Sequence, residues 1–378
     1  MIDAERLLRE FETLVSFDCE SCHEGRIKEY LKEKLLSLGL TVSEDDAARK
    51  LGSGADGAGN LLGRLKGKEE GTPLLFSAHM DTVAPGRGKR ALRHPDGTVT
   101  SDGTTVLGAD DAAGLAAILE ALTVIRERDL PHPEIEVLFT AAEEPYCRGS
   151  AVFDYTALRS KTAYVLDLSG PVGTAAVRAP SILSVDIIIR GRAAHAGFAP
   201  EDGINALTAA ARALAALPTG HVADDTTLNF GVIEGGTGKN IVPAEIRIRG
   251  EIRSLRHEAA LEQADAVRTV FAREAGILGA AAEVTVTEEI RAYSIGEDEY
   301  PVRRFRGALA AMGLGEGALL TTFGGSDNNR FAAHGIRGIV MACAMNDVHT
   351  VHEYTQIPEL ERCAALTLRL MTMEETDR

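Results

Sequence analysis

Acids and histidines recur at the ends of apolar runs along this chain. "SAHMDT" carries His79 and Asp81, "VLGADD" carries Asp110 and Asp111, and "FTAAEEP" carries Glu143 and Glu144. "VLDLS" adds Asp167, and "NDVHTVHEYT" adds His349 and His352. Taken alone each has an ordinary reading: paired acids suit a helix N-terminus, and a single His after a strand is commonly a surface residue. Several carboxylates converging in one crevice repel one another, and bound cations resolve that repulsion. The repetition therefore points to metal. A second pattern competes with it. Cys19, Cys22 and His23 spell C-x-x-C-H, the spacing of c-type haem attachment. The opening "MIDAERLLREFETLVSF" has no basic segment leading into an apolar stretch, so export is not expected and neither is haem. A structural zinc at Cys19 and Cys22 lacks an evident second ligand pair.

The elements that must position these groups follow from hydrophobic patterning. Two amphipathic helices are predicted at about 2–15 and 24–38. Short continuous apolar runs at 73–79, 134–141, 162–168, 318–323 and 338–344 suit strands buried on both faces. A strong helix pattern at 110–128 separates the first two, and a helix at about 358–371 closes the chain. This alternation predicts an α/β layered sheet, whose sites lie at the carboxyl ends of its strands. The stretch 181–289 differs. Its order of an alternating strand, a helix, two strands, a helix and a strand is the ferredoxin-like β-α-β-β-α-β arrangement. The expected organisation is thus 1–180 and 290–378 in one α/β unit, interrupted by an α+β insert at 181–289.

The 378 residues suffice for one large or two ordinary domains, and the 45% apolar and 25% charged fractions are those of a globular chain. The formal charge of −16 argues against nucleic acid as a partner. No apolar run approaches the ~20 residues of a membrane span, and five scattered cysteines do not form a disulfide framework. A cytoplasmic protein is expected.

Five motifs, "HMDTVAPG", "SDGTTVLGADDAAGLAA", "EEPYCRGS", "AHAGFAPEDGINA" and "GGTGKNIVPAEIRIRGEIRS", arrive in an order and spacing that resemble the M20 metallopeptidases, most closely the peptidase T-like branch. The resemblance covers nearly the whole chain. It implies a zinc-exopeptidase-like catalytic domain with a mixed central sheet flanked by helices, interrupted by a ferredoxin-like lid through which two copies pair. It implies two Zn²⁺, with Co²⁺ or Mn²⁺ as substitutes. Asp110 would bridge them, His79 and Asp167 completing one site and Glu144 with a C-terminal His the other. Asp81 would orient the His79 imidazole, and Glu143 would act as general base toward a metal-bridging water. A cis peptide is implied after Asp110. In the lid, His195 would stabilise the developing oxyanion, and Asn240 and Arg253 would contact substrate. Ser326, in the Gly-rich "FGGSDNNRF", would hold an anionic substrate end, unless it is simply a helix cap, which uses the same residues. The implied activity is hydrolysis of short peptides, of tripeptide aminopeptidase type. A carboxypeptidase or N-acyl amino acid deacylase on the same scaffold is the nearest alternative, and a non-catalytic binding protein a remoter one.

Between His349 and His352 the motif favours His349, because Glu353 follows four residues later and Tyr354 after it. Two departures from the family pattern stand out. Ala112 follows the paired acids where a Lys is common, and Pro145 and Cys147 replace aliphatic residues and Gly. Cys147 is expected to be buried rather than to bind metal.

Overall fold

The computed structural model describes residues 2–374. They form two compact units. Within the described residues, the larger comprises 2–178, Ser294–Thr321 and 326–374, and the smaller comprises Ala179–Tyr293 with Thr322–Gly325.

In the larger unit, four parallel neighbours make the middle of a mixed sheet: Ile135–Thr140, Leu74–His79, Thr162–Ser169 and Arg337–Met345. The first two are buried along their entire length, as their unbroken apolar runs require. Antiparallel strands Leu61–Leu65 and Thr41–Glu44 extend the sheet beyond Ile135–Thr140. Thr174–Ala179 lies antiparallel to Arg337–Met345 on the other side. The helix Ala109–Arg128 packs on this sheet and against Ala4–Val15 and Ile357–Thr372. It approaches closely because Gly114 has no side chain: a Cβ there would meet Leu166 O at 2.6 Å and Asp111 Oδ1 at 2.3 Å. The first residues of this predicted helix depart from helical geometry. Asp110 and Asp111 have ψ of 96° and 33°, and the bond between them is cis.

The smaller unit pairs its strands in the order Gly220–Ala223, Thr226–Gly235, Glu245–Ser254, Ser181–Arg190, Ala281–Ile290, all antiparallel. Without the short edge strand Gly220–Ala223, which the sequence pattern did not show, this is the ferredoxin-like topology. Helices Ala206–Ala215 and His257–Ile277 cover it, and Leu183, Val185, Ile187, Ile246, Ile248 and Phe271 fill the core between. Every second residue of Ser181–Arg190 faces inward, the period-two signature of a sheet with one covered face. The segment Thr322–Gly325 belongs with this unit for a local reason. Arg253 Nη1 donates to Phe323 O at 2.8 Å, and Gly325 abuts Ile290 where a side chain would not fit. Among the described residues no helix is long and apolar enough to cross a membrane.

Candidate metal centre

The parallel strands all deliver polar groups at their carboxyl ends. His79 is the last residue of its strand, Asp167 lies near the end of its own, Glu143 and Glu144 follow Thr140, and His349 follows Met345. Asp110 enters from the start of Ala109–Arg128. Their ligand atoms fall into two groups, each with all atoms within 4.8 Å of one another: His79, Asp110 and Asp167, and Asp110, Glu144 and His349. Asp110 belongs to both, one carboxylate oxygen toward each. Its Oδ1 lies 3.0 Å from His79 Nε2, and its Oδ2 lies 3.2 Å from His349 Nε2.

The hydrogen bonding of His79 assigns its tautomer. Nδ1 sits 2.9 Å from the backbone carbonyl of Asp81, which can only accept, so Nδ1 carries hydrogen. The lone pair of Nε2 then faces carboxylate oxygens of Asp110 at 3.0 Å and Asp167 at 3.9 Å. That arrangement is repulsive unless a proton or a cation lies between. Burial opposes charge on the His79 ring, yet Asp110 and Asp81 outweigh it and raise its pKa well above the ordinary value. Burial also raises Asp167, helped by Glu143 and Asp110, and raises Glu144. Asp110 is held low despite its burial, by hydrogen bonds from His349 and His79. His349 is pushed up to about 10 by Asp110 and by Glu144, whose Oε2 lies 3.0 Å away. Oε1 of Glu144 is buried and has no hydrogen-bond partner among the described residues. Two buried carboxylates raised by their surroundings, Asp167 and Glu144, the His79 Nε2 facing carboxylate oxygens and an orphaned buried oxygen together form a donor set suited to divalent cations.

Asp81 plays a broader part than its expected one. The imidazole leans on its carbonyl, while the carboxylate stands 3.5 Å away. The carboxylate instead accepts from the N–H groups of Glu143 and Glu144 at 2.9 and 3.2 Å and from the Ser21 hydroxyl at 2.7 Å. One residue thus braces both His79 and the loop bearing the paired glutamates. Glu143 belongs to neither shared-Asp110 group. Burial, with Asp327 and Glu144 nearby, raises its pKa well above the usual carboxylate range. His352 also stands apart from both groups; its backbone N–H donates to Thr350 Oγ1.

Three further acids support the cluster; the sequence pointed to Glu353 only as a spacing marker for His349 and to neither of the others. Glu353 is buried and accepts from the N–H groups of Gly108 and Asp110 at 2.7 and 2.9 Å. Glu24 accepts from Cys22 and Ala142 N–H, which ties the "DCESCHEG" loop to the glutamate loop. Burial, and then Asp81, push Glu24 up to about 7. Asp327 accepts from the hydroxyls of Thr140 and Ser150. In the C-x-x-C-H stretch, Cys19 is buried with its sulfur 3.5 Å from Lys89 Nζ, and Cys22 is part-exposed.

The remaining expected residues lie elsewhere. Ser326 is buried as the N-cap of Asp327–Ala333 in a capping box with Asn329, so its hydroxyl oxygen serves the helix, the alternative weighed against a substrate contact. Within the smaller unit His195 is exposed, its Nδ1 accepts from Gly197 and Phe198 N–H, and it stacks on Phe198. That leaves Nε2–H as an outward donor. Ala196 N–H donates to Asn240 O, which places His195 beside Asn240. The fork of Arg253 is engaged: Nε and Nη2 grip Glu251 at 2.8 and 3.1 Å.

Comparison with known proteins places these features in context. Residues 178–277 match the Peptidase dimerisation domain, and residues 60–177 match Peptidase family M28. An uncharacterised Bacillus subtilis protein, YqjE, is 38% identical over 98% of this chain and 99% of its own length. Peptidase T of Vibrio parahaemolyticus is 26% identical over 97% and 98%. Among solved structures, the aminopeptidase PepT of Bacillus cereus has a TM-score of 0.89 and 38% identity, and a Staphylococcus aureus tripeptidase has 0.93 and 35%. Each covers 98% of both chains. The M28 match stops before the insert, whereas these full-length matches extend through it.

Proposed function

Since the chain belongs to the M20 peptidases, of the peptidase T-like type, and is a metallopeptidase, we propose that it is a dinuclear zinc exopeptidase removing the N-terminal residue of short peptides, tripeptides foremost. The observation that carries this reading is the sharing of Asp110 between two ligand groups. His79, Asp110 and Asp167 would hold one ion, and Asp110, Glu144 and His349 the other. When bound, the ions act as Lewis acids and make water a competent nucleophile near neutral pH.

The chain supplies the rest. Glu143, raised by burial and outside both groups, takes the proton from the attacking water and passes it to the leaving amine. Asp81 fixes both the His79 ring and the Glu143–Glu144 backbone, so that donors and base keep one geometry. In the insert, His195 carries an exposed Nε2–H with Asn240 beside it, a donor of the kind that stabilises developing negative charge. Arg253 would have to exchange Glu251 for a substrate carboxylate, or act through that pair. The match to the Peptidase dimerisation domain supports pairing of two copies through the insert. The free thiols, with Cys19, Cys147, Cys343 and Cys363 buried, suit a reducing cytoplasm.

Turnover of free tripeptides, N-blocked peptides and N-acyl amino acids by the zinc-loaded protein tests the substrate class. The expected result is cleavage of free tripeptides alone, with Glu143→Gln inactive and still metal-loaded. Preferential cleavage of blocked substrates would instead make it a carboxypeptidase or deacylase on this scaffold.

A further inference from the structure

The segment "EEPYCRGS" folds back tightly on itself. Ala142, Tyr146 and Cys147 all have φ between 48° and 68°, a backbone region that non-glycine residues enter only when their surroundings compel it. Cys147 N–H donates to Glu143 O at 2.5 Å, and Arg148 N–H to Ala142 O at 2.9 Å. Gly149 then lies so close to the preceding chain that a Cβ would stand 1.9 Å from Ala141 O. These constraints bring the Cys147 side chain back over Glu143, with Sγ 3.2 Å from Glu143 Oε1.

Cys147 is fully enclosed and grouped with Glu143 and Asp327. The two oxygens of Asp327 already accept from Thr140 and Ser150. Among the described residues, the thiol's one hydrogen bond is to Glu143 Oε1. Burial between two carboxylates raises the thiol's pKa well above its ordinary value, so it remains a donor. The proposed reaction gives this thiol no step of its own.

We propose that Cys147 is a positioning residue for this hydrolysis, its S–H holding one oxygen of the Glu143 carboxylate so that the other is presented to the water. This rests on the reading of Glu143 as the proton carrier. A hydrogen bond to a charged acceptor is strong enough to confine a short side chain, yet a thiol is a weak donor and leaves the carboxylate basic. The arrangement restrains orientation without quenching the group it restrains.

The test compares variants lacking the donor, Cys147→Ala and Cys147→Gly (glycine tolerates the positive φ), with Cys147→Ser, which restores one. Measurements are kcat and KM on a tripeptide, zinc per chain, and thermal unfolding. The expected result is a fall in kcat of about tenfold in Cys147→Ala and Cys147→Gly at unchanged KM and zinc content, with Cys147→Ser recovering most of the loss. A folded, zinc-loaded Cys147→Ala or Cys147→Gly at wild-type kcat would overturn the proposal. So would Cys147→Ser falling as far as they do. Glu143→Gln separates the two readings. If it is inactive while Cys147→Ala is wild-type, only the Cys147 proposal fails; if it turns over normally, the general-base reading fails and takes this proposal with it.

Discussion

His79 and Asp167 stand on adjoining parallel strands, whereas Glu144 and His349 stand on loops; three of the four side chains are largely buried, and only that of His349, at 53%, is open to solvent. The two pairs converge on opposite oxygens of the same Asp110. The strand-borne half inherits its geometry from the sheet ladder, which cannot shift without breaking several backbone pairings. The loop-borne half has no such ladder and depends on individual braces. Asp81 holds the Glu144 N–H, Glu353 holds those of Gly108 and Asp110, and His349 itself sits at φ 61°. If the proposed ions bind, the one held by His79 and Asp167 should exchange more slowly than the one held by Glu144 and His349.

Substitutions should separate the halves. His79→Ala removes the buried imidazole and leaves the Asp110 and Asp167 carboxylates without it. Activity should fall by about a thousandfold or more, with the metal of that site lost in stoichiometry measurements. His349→Ala should release one equivalent of metal and keep the other, with activity down by about a hundredfold; loss of both ions would mean that the halves are not separable. Glu353→Gln keeps the volume but weakens the grip on the Gly108 and Asp110 N–H groups. A drop of about tenfold in metal affinity is expected, the scale of groups that orient ligands without touching metal, and an unaltered binding isotherm would remove Glu353 from the account. His352→Ala should change activity less than about twofold, since this side chain joins neither ligand group. If His352→Ala rather than His349→Ala empties a site, the assignment reverses.

The same division governs what could be read from the chain. Strand-end groups such as His79 and Asp167 are legible because a fully apolar run fixes where a buried strand stops, and the next polar residue must lie at its carboxyl end. The α/β alternation and the ferredoxin-like insert follow from the same periodicities, which local sequence expresses directly. The braces are not legible. Glu353 meets Gly108 across 245 positions, and Glu24 meets Ala142 across 118. Nothing local marks which of many glutamates will cap which backbone N–H. The edge strand Gly220–Ala223 is similar: four residues, mostly exposed, are held by pairing with Thr226–Gly235 rather than by any pattern of their own. For Asp81, the family resemblance pointed to the imidazole but not to the division of labour, in which the carbonyl serves the ring and the carboxylate the glutamate loop. At Ser326 both readings use the same residue types, so the capping box with Asn329 was not legible in the sequence.

The central claim is that Asp110 serves two ions at once. Its direct test is a binding titration of the metal-stripped protein with Zn²⁺, followed by isothermal calorimetry and by metal analysis after gel filtration, on wild type and on Asp110→Asn. The account predicts two equivalents per chain of unequal affinity in the wild type, and weakening of both in Asp110→Asn. A wild type that saturates at one equivalent, or an Asp110→Asn variant that keeps two at wild-type affinity, would contradict it.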